Sequence, residues 1–144
     1  MAPFRIERLT ALPPDEAWRR LTDWERHAAH VPMTRITVTT PPPNRAGTAF
    51  TARTAVGGVG FDDPMEVVAW EPPAAGRPGR CRLEKRGRTV TGWAEIEVAP
   101  HGAGSRVVWT EEARVRGVPA LFDAPSRWAG RLLFGRAVDG LLRG

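Results

Sequence analysis

The chain is 144 residues long, 42% hydrophobic and 26% charged, which suits one ordinary globular core over residues 1–144 and excludes disorder of the whole. No apolar run is long enough to cross a bilayer, and the opening MAPFRIERLTALPPDEAW brings in Glu7 and Asp15 before any signal-like core develops, so a cytoplasmic protein with no membrane partner is expected. The formal charge of +5 is carried almost wholly by arginine, Lys85 being the only lysine, and because these arginines are interleaved with Asp and Glu rather than gathered on one face, no nucleic-acid partner is expected.

In chain order, Phe4 and Ile6 alternate with Arg5, Glu7 and Leu9 as a first strand that Pro13 and Pro14 end. PPDEAWRRLTDW then reads as a helix, with Pro14, Asp15 and Glu16 at its favourable end, Thr10 or a neighbour as its cap, and Ala17, Trp18 and Leu21 on its buried side. A second short helix is expected from Trp24 to Ala29, stopped by Pro32.

From Arg35 onward the period changes to two. Thr48, Phe50, Ala52, Thr54 and Val56 share one face of a strand, opposite Arg53. GGVG at positions 57–60 lacks the strand-to-helix context of a phosphate loop and reads as a hairpin turn or bulge, with Asp62 and Asp63 in the same Gly/Pro-bounded turn. Met65, Val67 and Ala69 form the next strand face, with Trp70 on the other side. They are followed by Cys81, Leu83 and Lys85, then by Val90, Gly92, Ala94, Ile96 and Val98, then by Val107, Trp109, Glu111, Ala113 and Val115. Gly92 marks a bulge or a bend. Cys81 is the only cysteine and faces the apolar side, so a buried, inert thiol is expected.

The last stretch, Ala120 to Leu142, is a helix whose regular part starts near Ala124 with Asp123 as cap and Pro125 in the first turn. Ala124, Trp128, Leu132, Gly135, Val138 and Leu142 define one seam, and Leu133, Phe134, Ala137 and Leu141 broaden it. Such breadth suits a helix lying over a sheet or a cavity. Gly130, Gly135 and Gly140 weaken intrinsic helicity and permit close approach.

The order of strand, two helices, six strands and a long helix, together with WRRLTDWERHAAHVP, VVAWEPP and GVPALFDAPSRWAGRLLFGRAVDGLL, resembles the START-like superfamily of helix-grip proteins. The resemblance is to its bacterial polyketide cyclase/dehydrase-like, or SRPBCC, branch. It implies an α+β helix-grip fold in which a curved seven-stranded antiparallel sheet wraps around the C-terminal helix and leaves an apolar tunnel. It also implies structural roles for Trp18 and Leu21 and places Trp24 and Pro32 by the tunnel. With the apolar alternation, the expected ligand-binding wall is Phe50, Ala52, Thr54, Met65, Val67, Leu83, Ala94, Ile96, Trp109, Trp128 and Leu132.

Among polar groups, Glu111 shares the parity of Trp109 and is the leading candidate for acid/base work, because desolvation favours a protonated carboxyl. Lys85 has the same parity and is its expected neighbour, while a one-residue bulge would exchange Glu111 for Glu112. Arg53 and His30 are the other candidate proton-moving groups. His27 and His30 are three apart, but no zinc pattern accompanies them, and no metal or cofactor is expected. Three functions stay open: a carrier or binder of a hydrophobic small molecule, a polyketide cyclase or dehydratase, and a partner-binding protein whose cavity is filled. The oligomer is expected to be a monomer or a homodimer.

Overall fold

A computed structural model describes residues 3–117 and 119–144, and the side chains of Ala120 and Asp123, with the cap expected of the latter, lie outside the described residues. The described residues form β1 (Phe4–Thr10), α1 (Pro14–Leu21), α2 (Trp24–His27), β2 (Thr34–Val38), β3 (Ala49–Val56), β4 (Val59–Glu71), β5 (Gly79–Lys85), β6 (Val90–His101), β7 (Gly104–Val115), a 3-10 turn (Ala120–Phe122) and α3 (Asp123–Arg143). The strands make one antiparallel seven-stranded sheet in the order β1-β7-β6-β5-β4-β3-β2, as the short connections require. This is the α+β helix-grip architecture, with the sheet curved around α3.

Hydrophobic burial sets where each element sits. Ala17, Trp18 and Leu21 turn the inner side of α1 onto β6 and β7, where Ile96, Val98 and Val107 are buried. Trp18 packs on Trp70 with ring centroids 5.0 Å apart. Arg20 Nη1 donates to the Leu142 carbonyl at 2.7 Å, and Arg8 pairs with Asp139 at 2.8 Å, so α1 and β1 each fasten the end of α3. Thr10 caps no helix: its hydroxyl accepts from the Leu12 amide, and Pro13 stands at the start of α1 without a side-chain cap.

Three details depart from the expected pattern. The second helix closes at His27, two residues early, and continues only as turns. β4 begins at Val59, immediately after a Gly57–Gly58 turn, so Asp62 and Asp63 lie in a strand rather than in a turn; they pair with Arg53 and Ala52 of β3. Further along β4 the register slips between Val67 and Ala69, which aligns Trp70 with Cys81 and brings it to the core side, where Trp18 meets it.

Gly92 makes no bulge. Its φ is +133°, and a Cβ there would overlap the Glu112 carbonyl oxygen, so only glycine fits. Pairing of β6 with β7 nevertheless runs unbroken from Val90–Val115 to His101–Gly104. With no slip, Glu111 stays on the inner face and Glu112 on the outer, where it accepts from Trp93 Nε1 at 2.9 Å.

The inward face of α3 also differs from the expected seam. Gly130, Phe134, Ala137, Val138 and Leu141 face the sheet and α1, whereas Trp128 is 68% exposed and Leu132 44% exposed. Gly130 explains the rotation. A Cβ at that position would already press on the Phe4 ring at 3.1 Å, a gap too close for indole or isobutyl groups on the same side. Gly140 lies closer still to the His30 ring, so its small size serves a loop rather than the sheet.

Candidate functional site

Alternation along the concave sheet leaves a cavity of about 510 Å³ between β2–β7 and the middle of α3. Phe50, Ala52 and Thr54 of β3, Met65 of β4, Leu83 of β5, Ala94 of β6, and Trp109 and Glu111 of β7 line it as expected from their parity. Leu133 and Phe134 close it from α3, and Trp24, His27 and Ile36 from the helix and strand that follow β1. Pro32, Met33, Phe61 and Val115 are exposed members of the wall and mark its solvent side.

Aromatic rings form the floor. Trp24 stacks on Phe50 with centroids 4.9 Å apart, and Phe134 lies between Phe4 and Trp109 at 5.9 Å from each. His27 sits against Trp24 and Trp109 and bonds through Nε2 to the Leu21 carbonyl at 2.7 Å, which makes Nε2 the protonated nitrogen and leaves Nδ1 an acceptor. Burial pulls its pKa down to about 4, although the Leu21 carbonyl favours the charged ring, so the imidazole is neutral at physiological pH.

A polar cluster interrupts this apolar wall. Lys85, whose side chain is 5% exposed, donates from Nζ to Asp63 Oδ2 at 2.6 Å, and Met65 Sδ lies 3.8 Å from the same nitrogen. Glu111 is 4% exposed and accepts from Trp109 Nε1 at 3.3 Å. Desolvation raises its pKa above the ordinary carboxyl value; the Lys85 charge and the Trp109 bond oppose this without cancelling it, and Asp63 reinforces it. Desolvation lowers the pKa of Lys85, but Glu111 and Asp63 together outweigh it and hold the amine above its ordinary value. The other Asp63 oxygen, Oδ1, is buried and has no hydrogen-bond partner among the described residues.

The remaining expected site residues lie elsewhere. Val67 and Ile96 point inward but are sealed in the core and do not reach the cavity surface. Trp128 and Leu132 are on the outer side of α3, Trp128 beside Arg5, Arg8, Arg127 and Arg131, for the reason of close approach given above. Arg53 follows its own parity outward and pairs with Asp62 at 3.0 Å. His30 and Arg53 both line an outer groove separated from the cavity by the segment from Val31 to Thr34. Glu111, Arg53 and His30 are therefore not one constellation.

Two cavity residues escape a sequence reading that places them by local composition alone. Asp63 alternates with Phe61, Met65 and Val67, a signal hidden by Pro64 and the neighbouring glycines. His27 is one helical turn from the buried Trp24, which favours it over His30. Cys81, by contrast, is a sealed thiol whose pKa burial pushes up to about 12.

Residues 1–144 match the family described as polyketide cyclase / dehydrase and lipid transport. The chain belongs to that family. Among solved structures, a STAR-related lipid transfer protein from Xanthomonas axonopodis superposes with a TM-score of 0.72 at 16% identity, covering 99% of this chain and 86% of that one. The Zhui aromatase/cyclase of Streptomyces gives 0.62 at 16% identity over 98% and 94% of the two chains. A protein from Thermus thermophilus gives 0.68 at 20% identity over 98% and 92%. Among curated proteins, none matches. At such identities the family's shared fold is what the likeness carries, and the chemistry has to be argued from the cavity. No helix among the described residues is long and apolar enough to cross a membrane.

Proposed function

We propose that the protein binds and carries a hydrophobic small molecule, such as a lipid, a polyketide or another aromatic metabolite, in the cavity between its sheet and α3. The observation that carries this reading is the cavity of about 510 Å³, walled by apolar and aromatic side chains around one small polar cluster. That is the usual make-up of a small-molecule site, with apolar surface for affinity and few polar groups for orientation. The descriptions of the family and of the Xanthomonas relative, both naming lipid transport or transfer, agree with it.

A second reading, cyclase or dehydratase chemistry, is favoured by one specific feature. Glu111 is a desolvated carboxyl with a raised pKa facing the cavity, with Lys85 charged nearby, a pairing able to take and return a proton. It would act without Arg53 or His30. The filled-cavity reading loses its basis, since Phe50 and Trp109 stand in the wall and Trp128 lies outside.

Native mass spectrometry of the purified protein, followed by extraction and identification of retained small molecules, tests the first reading. A bound apolar compound released unchanged supports it. Conversion of an added poly-β-ketone analogue by the wild type and not by Glu111→Gln would favour the second, and failure to retain or bind any hydrophobic compound would overturn both.

A further inference from the structure

Resting on the reading of the cavity as a ligand site, the hydrogen-bonding state of its polar cluster narrows what the ligand carries. Asp63 Oδ1 is a buried acceptor with no donor among the described residues. Such an atom forgoes the hydrogen bond that water would give it, and in native interiors it calls for a partner. The adjacent Lys85 Nζ uses one hydrogen on Asp63 Oδ2 and directs a second, at 3.8 Å, toward the Met65 sulfur, so a further hydrogen is free for an acceptor. An unmet acceptor and a free donor thus stand side by side on one ion pair, whose two residues both line the cavity.

We infer that the ligand is an apolar body bearing a hydroxyl group, which donates to Asp63 Oδ1 and accepts from Lys85 Nζ. A hydroxyl is the smallest group that does both. An ether or a simple ketone satisfies Lys85 and leaves Asp63 Oδ1 unmet. A carboxylate accepts from Lys85 but has no hydrogen to give Asp63 Oδ1, and it sets a second negative charge beside that side chain. A cation would stand beside the Lys85 ammonium, which Asp63 already pairs at 2.6 Å, and would lose its hydration on entering. The rest of the wall, from Phe50 to Phe134, offers the ligand body apolar and aromatic surface.

Isothermal titration calorimetry with 2-naphthol, its methyl ether and 2-naphthoate reads this directly, because the ether keeps the ring and the oxygen but lacks the donor. The naphthol is expected to bind about ten-fold or more tightly than the ether, the value of one hydrogen bond to a charged acceptor, and the naphthoate more weakly than either. Asp63→Val combined with Lys85→Met removes both charges together, the change that buried pairs tolerate best, and is expected to bind naphthol and ether alike. Equal affinity of the ether or the naphthoate in the wild type overturns the hydroxyl assignment while leaving apolar binding intact. A ten-fold preference that survives in the double variant overturns the assignment to this pair. If none of the three compounds binds, the ligand-site reading fails as well.

Discussion

The two ends of the molecule share one sheet and differ in what fills it. Toward α1 and the last turns of α3 the space is solid: Leu21, Ile96 and Val98 are fully buried and Val107 and Leu141 nearly so. Toward the hairpin of β3 and β4 the same concave face carries Ala52, Thr54, Ala94 and Ala113, and the side chains stop short of α3, leaving the cavity. Backbone architecture does not distinguish the ends. Side-chain volume does: bulky aliphatics close one, and small residues backed by rings keep the other open. The polar cluster is confined to the open end, where Asp63, Lys85 and Glu111 line the cavity.

Substitutions at the two ends should therefore fail differently. Leu21→Ala, in the solid end, is expected to cost about 2–5 kcal/mol in chemical denaturation, since neighbours on α3, β6 and β7 cannot collapse into the void. A cost under 1 kcal/mol, taken as roughly the tolerance of a loosely packed site, would show that this end is not solid.

His27 stands where the two ends meet and makes stability depend on pH. Its folded pKa of about 4 lies below the ordinary 6.5 of an exposed imidazole, so its contribution is complete above pH 6.5 and is lost as pH falls through 4. The gap between those two values corresponds to about 3 kcal/mol. Denaturation curves of wild type and His27→Gln should converge by that amount between neutral pH and pH 4. Glu111 works with the opposite sign: its folded pKa is raised, so its contribution is complete below the ordinary carboxyl value and fades as pH rises through the folded one. Parallel wild-type and His27→Gln profiles would contradict the buried neutral imidazole.

In the hollow end, Ala52→Phe is expected to fill space rather than force it, changing stability by no more than about 1 kcal/mol while abolishing uptake of a naphthalene probe in calorimetry. The smallest effect belongs to Trp128→Ala. Exposed on the outer side of α3, it should alter stability by less than about 0.5 kcal/mol and leave probe affinity unchanged; a loss of binding would return this residue to the site.

Much of this contrast is legible in the sequence, because period-two alternation fixes which side chains of β3, β5, β6 and β7 point inward. Phe50, Leu83, Ala94, Trp109 and Glu111 follow from it. Where alternation is broken, the reading fails. Pro64 and the glycines around Val59 disguise the start of β4 and with it Asp63, and the slip at Val68 turns Trp70 inward. On α3 the apolar surface is broad enough that spacing alone allows several faces. What selects among them is the approach of Phe4 to Gly130, a tertiary contact between opposite ends of the chain. The cavity itself is legible only through the resemblance, since a small residue at an inward position predicts a tight contact as readily as a void.

The central claim is that the hollow end, and no other surface, receives an apolar ligand. Amide chemical-shift mapping by heteronuclear NMR during titration with 2-naphthol tests it most directly. Shifts are predicted to concentrate at Ala52, Thr54, Asp63, Leu83, Lys85, Ala94 and Glu111, with Leu21, Val98 and Val107 unmoved. Shifts centred on the outer groove of His30 and Arg53, or on the Trp128 side of α3, would contradict the account.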